Sequence, residues 1–168
     1  MRNVSESDWK LMEYPLFLKT YMVEADADYS THSIKSFHSG TAAWKQDHLE
    51  AGGGWIVSDP LGFQINQGSS TSNFVNSSLL AEAMALLEGL RQTKNLGIAK
   101  LCVCSDSLHL TNAINRRSKA MRIYGVIEDI LYLASQFEQI EFKSISRNEN
   151  RVADSLAKAA LSSLYSNE

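Results

Sequence analysis

The sequence is short of cysteine, of long apolar runs and of basic charge, and each shortage excludes a class of protein. Its 168 residues contain two cysteines, Cys102 and Cys104. They stand two positions apart in the strand-like run LCVCS, so both fall on one face, where a bridge between them would need strained geometry. No second Cys/His pair stands nearby to complete a zinc site. The pair is expected to be two buried thiols in a reducing compartment. No stretch approaches the roughly 20 apolar residues of a membrane span. The N-terminal run Leu16-Phe17-Leu18 is too short for a secretory signal, follows Pro15, and has Asp8 and Glu13 before it. A soluble, intracellular protein is the expectation, with nucleus and cytoplasm both open. Lys plus Arg number 16 against 19 Asp plus Glu, a net charge of −3. Contact with nucleic acid would therefore have to rest on a local patch.

What is present is a foldable domain. A hydrophobic content of 44% is too high for a disordered chain, and the length suits one domain with a sizeable core. Residues 1–32 differ from the rest: Trp9, Tyr14, Phe17 and Tyr21 are mixed with acidic residues, no period is sustained, and a short acidic link ends the segment. They are expected to form an N-terminal extension through which a protein partner could dock, ahead of one domain over 33–168. Within that domain, Ser33–Ser39, Gly52–Ser58 and Phe63–Asn66 read as strands of an antiparallel meander. Asp59-Pro60-Leu61-Gly62 has Pro and Gly where a type I turn favours them. Gly68–Ser78 reads as a Ser/Asn-rich loop. Asn76 or Ser77 can cap a helix whose stripe is Leu79, Ala83, Leu86, Leu87 and Leu90, stopped by Gly97. Lys100–Ser105 is a strand covered on both faces. A short helix over 107–115, a longer one over 123–137, a strand over 140–146 and a last helix over 151–164 complete the order. Helical crossovers demand parallel pairing. The fold class is therefore α/β, a mixed five-stranded sheet of an antiparallel meander plus two parallel crossover strands, with helices on both faces.

Three carboxylates stand in unusual places. Glu82 borders the apolar stripe of its helix. Asp106 follows directly on the buried strand, at the carboxyl end where open α/β sheets place their ligands. Asp154 falls in the first turn of the last helix. Separately, Asp154 could complement a helix dipole and Asp106 could cap the next helix. Together, carboxylates without His or Cys suit a hard cation such as Mg²⁺ or Mn²⁺, whose common use is phosphodiester chemistry.

The segments AGGGWIVSDPLG (51–62), SSLLAEAMALLEGL (77–90), LCVCSDS (101–107), IEDILYL (127–133) and RNENRVADSLAKAAL (147–161) carry a resemblance. The chain resembles the ribonuclease H superfamily, specifically the retroelement-related, reverse-transcriptase-like ribonuclease H domains of plants. The last segment is the most specific, through Arg147, Asn150, Ala153-Asp154 and Leu156-Ala157. The resemblance implies a ribonuclease H-like fold and a site where four carboxylates hold two Mg²⁺ or Mn²⁺ ions against the RNA strand of an RNA–DNA hybrid. It maps Glu82, Asp106 and Asp154 onto three of those catalytic and metal-binding positions. The fourth, the aspartate ending the first strand, falls at Ser39 or Thr41, and no carboxylate lies between Ser33 and Ala43. A neutral hydroxyl cannot supply that charge.

Arg116, Arg117, Lys119 and Arg122 cluster between two helices. The resemblance implies a duplex-gripping protrusion there, electrostatic and salt-sensitive; a solvated loop is the plainer alternative. The expectation is a ribonuclease H-like domain that binds nucleic acid, RNA–DNA hybrid or RNA, with cleavage weak or absent. The alternative is a catalytically dead scaffold or protein-interaction module.

Overall fold

The computed structural model describes residues 35–45, 49–118 and 122–164, with only the backbone described at 35–39, Trp44 and Lys45. The N-terminal extension and Lys119 lie outside these residues. The elements in chain order are strands β1 (Lys35–Lys45), β2 (Glu50–Ser58) and β3 (Gln64–Ser72), helix α1 (Ser78–Asn95), strand β4 (Lys100–Ser105), helices α2 (Leu108–Asn115) and α3 (Tyr124–Ala134), strand β5 (Gln139–Ser144), and helix α4 (Arg151–Ser163). A 3₁₀ turn over Arg147–Asn150 leads into α4. The sheet has the order β3-β2-β1-β4-β5. β1, β2 and β3 pair antiparallel, while β4 runs parallel to both β1 and β5. This is the mixed five-stranded sheet that the alternation of elements requires.

Two strands are longer than the sequence suggests. β1 continues through Gly40-Thr41-Ala42-Ala43 to Lys45, and pairing with β2 holds these small residues of low strand propensity extended. β3 takes in much of the segment expected to be a Ser/Asn-rich loop. Its half-buried positions are Asn66, Gly68, Ser70 and Ser72, so hydrophobic alternation is missing. The reason lies on β2: Trp55, 4% exposed, projects over Gly68, where a Cβ would collide with the indole ring. The aromatic ring fills the space that apolar β3 side chains would otherwise occupy.

The turn between β2 and β3 forms as its residues require. Asp59 Oδ1 accepts from the backbone N–H groups of Leu61 at 2.9 Å and Phe63 at 2.8 Å, and Gly62 takes a left-handed φ of 87°. α1 begins at Ser77, whose hydroxyl accepts from the Leu80 N–H at 3.2 Å, and ends where Gly97 adopts a φ of 74°.

The large apolar residues gather on one face of the sheet. Trp55, Val57, Leu101 and Val103 project there against Leu86 and Leu90 of α1, Leu110 and Ile114 of α2, and Ile127 and Ile130 of α3. The opposite face is built of small residues. Gly52 and Gly54 of β2 meet α4 directly, and a Cβ on either would collide with the helix backbone at Ala157 or Ala153. Cys102 and Cys104 occupy this second face beside Ile145, both buried and both free thiols. Close seating of α4 on β2 and β1 brings its N-terminus to the carboxyl end of β4. No helix among the described residues is long and apolar enough to cross a membrane.

Candidate carboxylate site at the end of β4

Asp106 is the first residue past β4, where the strand has delivered its backbone and pairing with β1 has ended at Gly40–Ser105. It does not cap α2, whose N-cap position is Ser107. Its carboxylate points instead at the turn before α4: Asn150 Nδ2 donates to Asp106 Oδ1 at 2.9 Å and to the Gly40 carbonyl at 3.2 Å. Asn150 is fully buried. That one amide ties β4, β1 and the start of α4 together. Glu149 prepares the turn by accepting the Ser146 N–H at 2.9 Å.

Arg147 then projects over the aspartates. Its Nε lies 3.9 Å from Asp106 Oδ2 and its Nη2 lies 3.8 Å from Asp154 Oδ1. Lys158, one turn along α4, donates to Asp154 Oδ2 at 2.5 Å. The Asp106 and Asp154 side chains are only 9% and 16% exposed, whereas that of Arg147 is 75% exposed. The cation is thus the outermost layer of the site.

Glu82 reaches the same locality from α1. Its carboxyl is pushed up from 4.5 to about 8, first by burial and next by the negative charge of Asp106, with Asp154 adding to it; the Ala42 N–H and Arg147 pull the other way. Its Oε2 is buried without a hydrogen-bond partner, as are Asp154 Oδ1, Asn150 Oδ1 and Thr41 Oγ1.

The structure therefore brings Glu82, Asp106 and Asp154, from three separate elements, into one electrostatic neighbourhood. Of the two positions where the resemblance puts the fourth carboxylate, Ser39 pairs with Cys104 and Ile56, and Thr41 pairs with Gly54. By strand period Thr41 stands on the face of Gly54 that meets α4. Thr41 is 1% exposed.

The oxygens are hard ligands; Glu82 Oε2 has no hydrogen-bond partner, and Asp154 Oδ1 faces only the Arg147 guanidinium at 3.8 Å. The family's pair of divalent ions does not fit the chain as it stands. Neither Ser39 nor Thr41 is a carboxylate, and protein cations already engage Asp106 and Asp154. Among the described residues, no group of three His, Cys, Asp or Glu side chains is gathered so as to hold a metal ion.

The basic cluster lies elsewhere. Arg116, Arg117 and Arg122 are exposed, and Arg117 adopts a φ of 50°. Arg116 and Arg117 directly follow α2, which places them roughly 12 Å along that helix from its start beside Asp106. Asn115 Nδ2 fixes this end of α2 by donating to the Phe142 carbonyl at 3.1 Å. Half-buried Glu88, on α1 away from this site, pairs with Arg91 at 3.5 Å and accepts from Gln92 at 2.7 Å.

Sequence reasoning overlooked the cations. Lys158 stands four residues after Asp154 on one helix, a spacing that announces the pair. Arg147 gave no such signal, because its contact with Asp106 depends on how α4 meets β4.

The reverse transcriptase-like family matches residues 39–160 of the chain. No curated protein matches it. Among solved structures, the fold is shared with the N-terminal RNase H domain of rv2228c from Mycobacterium tuberculosis, with a TM-score of 0.73 and 22% identity over 80% of this chain and 99% of that one. RNase H1 from Halobacterium salinarum superposes with a TM-score of 0.73 and 19% identity over 77% of this chain and 98% of its own. LC11-RNase H1, solved in complex with an RNA/DNA hybrid, gives 0.72 and 19% over 79% of this chain and 100% of its own. The chain belongs to the reverse transcriptase-like family, and its mixed sheet is a ribonuclease H fold.

Proposed function

We propose that this domain binds RNA or an RNA–DNA hybrid across the carboxyl end of β4 and cleaves it weakly or not at all. The observation that carries this reading is the Arg147 guanidinium on Asp106 and Asp154, in a site whose first carboxylate is a hydroxyl. Glu82, Asp106 and Asp154 occupy the family's ligand positions, and Arg116, Arg117, Lys119 and Arg122 supply a basic flank for phosphates. The hybrid complex of LC11-RNase H1 supports this substrate class by shared fold. The segment RNENRVADSLAKAAL supports a plant, retroelement-related origin. The free thiols of Cys102 and Cys104 favour a reducing intracellular setting.

A second reading, a protein-interaction module, is favoured by the exposed apolar residues around the β2–β3 turn. Leu61 is 81% exposed, Phe63 69% and Ile65 46%. Binding titrations with a labelled hybrid at several salt concentrations separate the two. Affinity that falls steeply with salt, on a slope flattened by changing Arg116, Arg117 and Lys119 together to Ala, supports nucleic-acid binding. No affinity at low salt would leave the interaction module.

A further inference from the structure

Two protein cations occupy the two aspartates that the fold presents at the end of β4. Arg147 spans Asp106 and Asp154, and Lys158 holds the second oxygen of Asp154. Two negative charges thereby meet two positive ones without any ion from solution. Beside them Asn150 Oδ1, at zero exposure, has no hydrogen-bond donor of its own. The chain provides that cation on a held segment: Glu149 braces the turn at Ser146, and Asn150 anchors its far end to Gly40 and Asp106.

We propose that Arg147 takes the place of a divalent cation in this site, so that the domain holds a backbone phosphate of its nucleic acid without bound metal. The inference rests on the nucleic-acid reading for its ligand, and on the ion-pair geometry alone for the role of Arg147. A guanidinium has five N–H donors in a planar fork. Two of its nitrogens face aspartates, and the side chain is 75% exposed, so an approaching phosphodiester meets donors that remain free for its oxygens. The aspartates lie beneath and would repel the same phosphate if Arg147 were absent. This arrangement anchors a phosphate but generates no nucleophile, and no bond is made or broken.

An exposed arginine near two carboxylates can also be energetically idle, and the test separates that case. Affinity for an RNA–DNA hybrid is measured by anisotropy in a chelator and in millimolar Mn²⁺, for wild type, Arg147→Ala and Arg151→Ala. Wild type should bind equally under both conditions. Arg147→Ala should lose roughly tenfold in the chelator, the worth of a charge-assisted phosphate contact, and Mn²⁺ should restore it because the bared carboxylates then accept the ion. Arg151→Ala removes a neighbouring charge that touches Asn148 rather than the aspartates, and should show no Mn²⁺ response. Calorimetric titration of the free proteins with Mn²⁺ should show tighter binding to Arg147→Ala than to wild type. Wild-type binding abolished by the chelator would overturn the proposal, and so would an Arg147→Ala defect that Mn²⁺ leaves unchanged. If no form bound the hybrid, the nucleic-acid reading would fall. The calorimetry would still decide the role of Arg147: equal Mn²⁺ affinities would show that it holds no ion's place.

Discussion

Asn150 and Asp106, 44 residues apart in the chain, are joined by a 2.9 Å hydrogen bond inside the protein. The same amide nitrogen serves the Gly40 carbonyl at 3.2 Å. Removing it leaves a carboxylate oxygen and a buried carbonyl without their donor. Asn150→Ala should therefore cost about 1–3 kcal/mol of stability. Chemical denaturation checks this, with exposed Asn148→Ala as the comparison, expected to stay within about 0.5 kcal/mol. A cost at Asn150 no larger than at Asn148 would mean that the junction is held by packing alone.

The sequence disclosed the parts of the fold that periodicity encodes. α1, with its Leu86, Leu87 and Leu90 stripe, and β4, a continuous apolar run, lie where the pattern puts them. β3 was hidden because Trp55 on its neighbour fills the space its own side chains leave. The extent of β1 was hidden because antiparallel pairing with β2, rather than propensity, keeps Gly40–Ala43 extended. At the site, the three carboxylates stood out by their places at element ends and edges, and the resemblance joined them into one group. The Arg147 contact was not, since it arises where a turn from one end of the chain meets a strand end from the middle.

The triple glycine of β2 has a packing role that substitution can expose. Gly54→Ala drives a Cβ into the backbone of α4 at Ala153 and Ala157. It should destabilise by about 1–3 kcal/mol and displace the helix that carries Asp154 and Lys158. Gly125, near the start of α3, has open space around its Cβ position. Gly125→Ala should be neutral or stabilising by up to about 1 kcal/mol. Melting of both variants tests the contrast, and equal effects would contradict it.

Glu82 makes stability depend on pH in a definite direction. Its carboxyl is raised from 4.5 to about 8 in the folded protein, so between those values the native state holds a proton that the unfolded chain releases. Stability from this group is complete at low pH and falls as pH rises through that window. Glu82→Gln, which cannot ionise, should flatten the decline and raise stability at pH 8.5 by about 1–3 kcal/mol. Urea midpoints at pH 5 and pH 8.5 measure both effects. A wild-type protein whose midpoint rises over this range would show that other groups dominate.

The last expectation concerns cleavage. Three carboxylates, two of them engaged by cations, cannot clamp the attacking and leaving oxygens of a phosphodiester as an ion pair does. Wild-type cleavage of an RNA–DNA hybrid should be barely detectable. Restoring it needs both a carboxylate on β1 and the departure of the resident cation. Of the two candidate positions, Thr41 is 1% exposed and pairs with Gly54, which lies against α4. A carboxylate there would be buried under the helix, so Thr41→Asp should mainly destabilise. Ser39 pairs with Cys104, two residues before Asp106 on the same side of the sheet. Ser39→Asp combined with Arg147→Ala should bind Mn²⁺ by calorimetry and raise Mn²⁺-dependent cleavage by roughly tenfold or more, about 1.4 kcal/mol of barrier. Adding Asp106→Asn should remove both gains, because the ion loses its strand-end anchor. Robust wild-type cleavage that Asp106→Asn abolishes would show that the missing carboxylate matters less than its charge implies. No gain of Mn²⁺ binding in the double variant would show that the carboxylates have drifted beyond what one side chain can restore.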